Sequence, residues 1–301
     1  MMDAPSVGVE IFDRRVCQLG EGPYYDEHLG RVGWVDITGR AVLWHELATG
    51  RTGALATAGD IGAAVPRAGG GLVLCLPAGP MLLDLDGGRR HLGTFADADA
   101  AAGDRPAADA PARRANDAKA DPHGRLWLGT MAYDSTPGAG ALYRLDPGAQ
   151  APVRVLDDVT VSNGLGWSPD GARMYYVDTP TGRVDVFDYD GRTGALANRR
   201  PFVEIEVGAG KPDGMCTDAE GAVWVALWSG GAVRRYTPDG VLERTVEVGT
   251  PLVTSCAFAG DGYDQLIITT ARQDRADDAA GLTYRYRPGD LAGAPAGRYA
   301  G

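Results

Sequence analysis

Three observations in the sequence predict an all-β protein. Short apolar runs are separated throughout by turn residues, with 44 glycines and 19 prolines among 301 residues. No amphipathic helical pattern persists beyond a turn or two. A unit of polar turn, apolar strand, second turn and alternating strand recurs along the whole chain.

Six copies of that unit are present. The first is YDEHLGRVGWVDITGRAVLWHEL (25–47), and the second, weaker, is PRAGGGLVLCLPAGPMLLDLDG (66–87). The third is DPHGRLWLGTMAYD with GALYRLDP after a Gly-rich insert (121–134, 140–147). The fourth is SPDGARMYYVDTPTGRVDVFDYD (168–190), and the fifth is TDAEGAVWVALWSGGAVRRYTPDG (217–240). The sixth is AGDGYDQLIITTAR with GLTYRYRPG (259–272, 281–289). Their turn glycines, Gly30, Gly70, Gly124, Gly171, Gly221 and Gly262, recur roughly every 40–55 residues, the period of a four-stranded propeller blade. One such sheet cannot bury both faces, whereas sheets stacked around an axis can.

The predicted architecture is therefore a six-bladed β-propeller with four-stranded blades, a single domain over residues 1–301. The strand-like segment VGVEIFDRRV (7–16) is expected to pair with the last blade, closing the ring and covering an open edge. Residues 96–115, rich in Ala, Asp and Pro, read as an irregular insertion: a lid, a surface loop, or in part a short helix.

Composition bounds the function. A net charge of −11 argues against nucleic acid and is compatible with an enzyme that binds a cation. The N-terminus lacks a basic start followed by an apolar stretch, and no apolar run approaches the roughly 18 residues of a membrane span. Cys17, Cys75, Cys216 and Cys256 form no CxxC pair, so they read as reduced, buried thiols of a cytoplasmic protein. The four histidines are dispersed without metal-ligand spacing. Neither a GxSxG elbow nor a Gly-rich phosphate loop leading into a helix is present, which argues against serine hydrolysis and nucleotide cofactors. A closed ring needs no partner, so a monomer or weak oligomer is expected.

A register count locates a site. Eight residues before Gly124, Gly171 and Gly221 stand Asn116, Asn163 and Asp213; nine before Gly30 stands Glu21. The same count gives Gly62 in the second unit and Thr254 in the sixth. Equivalent positions of successive blades should form one ring at one mouth of the propeller. Asn-Gly and Asp-Gly are also ordinary turn signals, but a shared register across blades is a stronger pattern than any one dipeptide. Two carboxylates, two amides and a hydroxyl all offer oxygen. That set suits one hard divalent cation such as Ca²⁺, Mg²⁺ or Mn²⁺, and also admits Zn²⁺ or Fe²⁺. Trp127, Trp167 and Trp224 lie on strand patterns and read as inter-blade core rather than sugar platforms.

Five segments carry a resemblance. LGEGPYYD (19–26), RANDAKADPHGRLWLGTM (114–131), VSNGLGWSPDGARMYYVDT (161–179), KPDGMCTDAEGAVWVALW (211–228) and LIITTAR (266–272) resemble the regucalcin/gluconolactonase family, also called the senescence-marker-protein family. The likeness implies a six-bladed propeller with a central divalent metal held by Glu21, Asn163 and Asp213. It implies substrate contacts from Arg114 and Asn116 of R-x-N-D and, by position after G-T-M, from Asp134. This chain departs from the family pattern in having Ala118 for the Gly of N-D-G, Ala115 for a bulky apolar residue, and a longer loop before Arg114.

The expected activity is metal-dependent hydrolysis of a sugar lactone to its aldonic acid. The cation would polarise the ring carbonyl, and the base is either Asp213 or hydroxide on the cation itself. Arg114, Asn116 and Asp134 would orient the sugar. Two alternatives keep the fold: a hydrolase of other lactones or phosphotriesters, and a non-enzymatic calcium-binding propeller.

Overall fold

The computed structural model describes residues 8–103, 110–273 and 277–301. Their apolar strands have two faces to cover, and the chain covers them by stacking six antiparallel sheets of four strands each, the blades of a β-propeller. Strand β1 (Val9–Asp13) is followed by blade 1: β2 (Gly20–Asp26), β3 (Arg31–Asp36), β4 (Ala41–Glu46) and β5 (Thr52–Ala56). Blade 2 holds β6 (Ala63–Pro66), β7 (Leu72–Leu76), β8 (Gly79–Leu83) and β9 (Arg89–His91). After helix α1 (Phe95–Ala101), blade 3 holds β10 (Arg113–Ala120), β11 (Leu126–Ala132), β12 (Gly140–Leu145) and β13 (Val153–Val159). Blade 4 holds β14 (Ser162–Trp167), β15 (Arg173–Asp178), β16 (Arg183–Asp190) and β17 (Ala195–Glu204). Blade 5 holds β18 (Lys211–Thr217), β19 (Val223–Trp228), β20 (Ala232–Tyr236) and β21 (Leu242–Glu247). Strands β22 (Val253–Ala259), β23 (Gln265–Thr270) and β24 (Thr283–Tyr286) begin blade 6.

Strand β1 completes blade 6. It pairs with β24, Val9 opposite Tyr286 and Ile11 opposite Tyr284, so the predicted ring closure is found. Val7 of the predicted segment lies outside the described residues.

Burial follows the seams. The apolar core divides into six clusters, each shared by two neighbouring blades. No blade can leave without exposing two of them, which is why the ring holds. Trp127 and Trp224 are fully buried in these seams, as the strand pattern predicts. Each indole is held by the aspartate that opens its repeat. Asp121 Oδ2 accepts from Trp127 Nε1 at 2.9 Å, and Asp218 Oδ2 from Trp224 Nε1 at 2.9 Å. The other oxygen of each ties its turn together, accepting from backbone N–H groups two and four residues on.

Five of the six predicted turn glycines adopt left-handed φ values, from 59° at Gly30 to 89° at Gly70. Gly262 does not. In that repeat the left-handed positions are Gly260 and Tyr263, so the sixth turn is built differently from the rest.

The predicted insertion resolves in part into α1, opened by a capping box between Thr94 and Asp97. Phe95 and Ala98 join the cluster between blades 2 and 3. Buried Asp99 accepts from Tyr143 Oη at 2.7 Å and from Arg113. This part of the insertion is thus anchored in a seam. Residues 104–109, the middle of the loop read as a lid or surface segment, lie outside the described residues.

The chain end has a role the repeat reading did not assign. Gly293 bridges Asp218, Gly297 bridges Ala120, and Tyr299 bridges Arg67, so the tail crosses from blade 5 to blades 3 and 2. These contacts lie at the C-terminal ends of the inner strands, and Tyr299 is buried there. A side chain at Gly297 would overlap the carbonyls of Ala120 and Asp121, so the close crossing requires glycine. Among the described residues, no helix is long and apolar enough to cross a membrane.

Candidate functional site

The innermost strands share one irregularity. Glu21–Tyr24 lies opposite Val35–Gly33, and Ala115–Ala118 opposite Thr130–Leu128. Ser162–Leu165 lies opposite Asp178–Tyr176, Pro212–Met215 opposite Leu227–Val225, and Val253–Ser255 opposite Thr270–Thr269. Each inner strand therefore carries one more residue than its partner, a β-bulge at the same level in five blades. The bulges release Asn116, Asn163, Asp213 and Thr254 from the ladder and free their side chains to turn off the sheet. Blade 2 has no bulge, Ala63–Pro66 pairing evenly with Cys75–Leu72. Its ring position is Gly62, where a side chain would overlap the backbone of Ala115 and Asn116.

The register count thus corresponds to a physical level in the ring. Glu21, Arg114, Asn116, Asn163 and Asp213 are all buried there. Arg114 donates to Asn116 Oδ1 at 2.6 Å and to the carbonyl of Ala115 at 3.0 Å. Asn116 Nδ2 donates to Asn163 Oδ1 at 2.7 Å and to the carbonyl of Ser162 at 2.8 Å. Asn163 Nδ2 donates to Thr179 Oγ1 at 2.8 Å, and Thr179 Oγ1 to the carbonyl of Pro212 at 2.9 Å. A single chain of hydrogen bonds runs from blade 3 through blade 4 to the residue before Asp213.

The carboxylates are linked electrostatically. Burial, then repulsion from Asp117, pushes the Glu21 carboxyl up to about 8. Burial, then repulsion from Glu21 and from Asp117, pushes Asp213 well above the usual carboxylate range. Asp117 is itself raised by burial, with Lys119 opposing the shift. Burial lowers Arg114, with Glu21 the strongest opposing charge. Three buried acids therefore face two buried or half-buried cations, and Lys119 also spends a bond on the carbonyl of Met215 at 2.5 Å.

Two carboxylate oxygens in this cluster, Asp213 Oδ1 and Asp117 Oδ2, are buried without a hydrogen-bond partner. Such atoms are costly unless a proton, a water or a cation satisfies them. Asn163 Oδ1 accepts one hydrogen bond and keeps a second lone pair. Glu21, Asn163 and Asp213 therefore fit a hard divalent cation as an all-oxygen set. Among the described residues no group of three His, Cys, Asp or Glu side chains is placed to hold a metal ion.

Two predicted residues stand apart. Thr254, counted as the ring's hydroxyl, is turned into the seam between blades 6 and 1, donating to the carbonyl of Gly20 at 2.6 Å and lying 2.8 Å from Thr269 Oγ1. It corrects the expected donor set: the counted position lies at the bulge level, but the short side chain finds partners in Gly20 and Thr269 within reach. Asp134 lies on an exposed turn, where Oδ1 accepts from Thr136 N at 3.0 Å and from Thr136 Oγ1 at 2.7 Å.

Other polar groups of the site were not singled out from the sequence. Asp117 and Lys119 follow Asn116 along β10, both inside the quoted segment 114–131 with no role attached. Tyr133 and Asp60 lie near enough to oppose the lowering of Arg114 by burial, and Arg40 Nε meets Asp60 Oδ1 at 3.1 Å. Thr179 closes the quoted segment 161–179, with no role attached. On the other side of the ring, the channel widens into a cavity of about 350 Å³ running from Gly22 and Asp117 past Trp167 and Phe258 to Ala296 in the tail. Glu21, Asn163 and Asp213 do not line it.

A family model described as "SMP-30/Gluconolactonase/LRE-like region" matches residues 19–272. Regucalcin of Danio rerio is 36% identical over 305 residues, covering 98% of this chain and 99% of that protein. A crystal structure of a calcium-binding protein, regucalcin, from Agrobacterium tumefaciens superimposes with a TM-score of 0.86 at 30% identity, covering 96% of each chain. A gluconolactonase of Xanthomonas campestris shares the fold, with a TM-score of 0.72 at 23% identity over 94% of this chain and 89% of its own.

Proposed function

This chain belongs to the SMP-30/gluconolactonase/LRE-like family, and from that premise we propose that it is a metal-dependent lactonase opening a sugar lactone to its aldonic acid. The observation that carries this reading is the pair of buried acids Glu21 and Asp213, near enough to repel each other at the level of Asn163, with one oxygen of Asp213 left without a partner. A hard divalent cation held by Glu21, Asn163 and Asp213 would supply a Lewis acid for the lactone carbonyl.

The chain's own groups account for the rest. Water adds to the carbonyl carbon, the bond from that carbon to the ring oxygen breaks, and the ring oxygen takes up a proton to leave a hydroxy acid. Asp213, ionised when the cation is held, is the base that removes the proton from water. Arg114 offers guanidinium N–H groups to the substrate's oxygens, and Asn116 holds Arg114 and Asn163 in place. Asp134, on an exposed turn after β11, keeps Oδ2 free for a sugar hydroxyl. The four free, buried thiols support a reducing compartment, the cytoplasm.

A panel of aldonolactones, other lactones and phosphotriesters, assayed after chelation and after resupply of Ca²⁺, Mg²⁺, Mn²⁺, Zn²⁺ or Fe²⁺ in turn, tests the proposal. Chelator-sensitive turnover of an aldonolactone is expected. Turnover only of phosphotriesters or non-sugar lactones would replace the substrate class. Tight cation binding with no turnover of any ester would replace the enzyme by a calcium-binding propeller.

A further inference from the structure

An asparagine amide can present oxygen or nitrogen to the same point, because the two ends are nearly identical in shape. Asn163 can serve a cation only through its oxygen. Two bonds decide which end faces where, and each comes from another blade or loop. Asn116 brings an N–H group to Asn163 Oδ1 at 2.7 Å. Thr179 brings Oγ1 to Asn163 Nδ2 at 2.8 Å.

The hydroxyl of Thr179 has one hydrogen, and it is engaged with the carbonyl of Pro212 at 2.9 Å. What Thr179 shows to Asn163 is therefore a lone pair. Rotating the Asn163 amide by half a turn would set its oxygen against that lone pair and its nitrogen against the N–H group of Asn116. Both contacts would be repulsive, so one orientation is selected. Thr179 is itself held. It opens the 3₁₀ turn Thr179–Thr181 after β15, and its backbone N–H donates to the carbonyl of Val161 at 3.1 Å, two residues before Asn163. The same hydroxyl grips the peptide immediately before Asp213.

We propose that Thr179 is a positioning residue that fixes the oxygen of Asn163 and the strand bearing Asp213 for a hard divalent cation. This rests on the reading of Asn163 and Asp213 as cation ligands. Thr179 touches neither cation nor substrate. Its removal should lower cation affinity, with the fold intact and with KM at saturating cation little changed.

The test compares Thr179→Val, which keeps the shape and deletes the hydroxyl, with Thr179→Ser, which restores it. Binding of Ca²⁺ and of Mn²⁺ to chelator-stripped protein is followed by titration calorimetry, with thermal melting in chelator as the control for folding. Loss of a hydrogen-bonding partner behind a metal ligand commonly costs about 10–100-fold in affinity. Thr179→Val is expected to lose affinity in that range, and Thr179→Ser to stay within about threefold of the wild type. Equal affinity in Thr179→Val and wild type, or an equal loss in the Ser variant, overturns the inference. A wild-type protein that binds neither ion overturns the metal reading instead. Should Thr179→Val fail to melt cooperatively, Thr179→Ala is titrated with the same criteria.

Discussion

Asn116 and Asn163, on the inner strands of neighbouring blades, share a hydrogen bond of 2.7 Å from Nδ2 to Oδ1. The family likeness implies that Asn116 contacts substrate. The structure shows both ends of its amide already used, one by Arg114 and one by Asn163 and the carbonyl of Ser162. Asn116→Ala should therefore weaken cation binding by about 10–100-fold as well as lower kcat/KM. Calorimetric titration beside steady-state kinetics checks this. A rise in KM with cation affinity unchanged would restore a purely substrate-facing role.

Asp213 has two duties in the proposed reaction, ligand and base, and amide substitution separates them. Asp213→Asn keeps the shape and one oxygen but cannot accept the proton. Turnover at saturating cation should fall by about 10²–10⁴-fold, the usual contribution of a positioned base. Retained turnover in a variant whose cation affinity is measured as normal would remove Asp213 from the base role.

The buried acids make the stability of cation-free protein depend on pH. Glu21 has its folded value raised from 4.5 to about 8, and Asp213 shifts in the same direction. Where the folded value exceeds the unfolded one, the folded protein binds more protons in between, and stability falls as pH rises. This contribution is complete below 4.5 and lost as pH climbs through about 8. Tm in chelator is expected to decline across that window. Saturating Ca²⁺ should flatten the decline, because the ion takes the place of the protons. Parallel melting series with and without Ca²⁺ check it, and a flat chelated series would contradict the electrostatic picture.

Asp218 stabilises blade 5 by a separate mechanism. It is fully buried, and its Oδ2 accepts from Trp224 Nε1 at 2.9 Å and from Arg235 Nε at 2.8 Å. Asp218→Ala strands an indole N–H and leaves a buried guanidinium without this partner. Breaking such a buried pair typically costs about 3–5 kcal/mol. Urea unfolding should show a lowered midpoint with m unchanged, and a loss below about 1 kcal/mol would assign the pair to the weak class of surface ion pairs.

The blades were legible because stacking forces a repeat: every sheet needs an apolar strand after a tight turn, so Gly30, Gly124, Gly171 and Gly221 mark them in the chain. The ring was legible for the same reason, and counting from those glycines reached Glu21, Asn116, Asn163 and Asp213. The count could not see that Thr254 is short enough to bond the carbonyl of Gly20, nor that Gly262 leaves the left-handed turn positions to Gly260 and Tyr263. Asp134 followed from a motif, and its exposed turn with Thr136 follows from local chain direction.

By itself the sequence determined the blade number, the closure by the N-terminal strand and the level at which polar side chains gather, since all three follow from periodicity and burial along the chain. Only the tertiary structure decided which groups meet at that level. Thr179 reaches Asn163, and the tail crosses to Arg67, Ala120 and Asp218. Those meetings depend on how far each blade is rotated against the next and on a bulge of one residue per strand. Neither leaves a periodic mark in the amino-acid order.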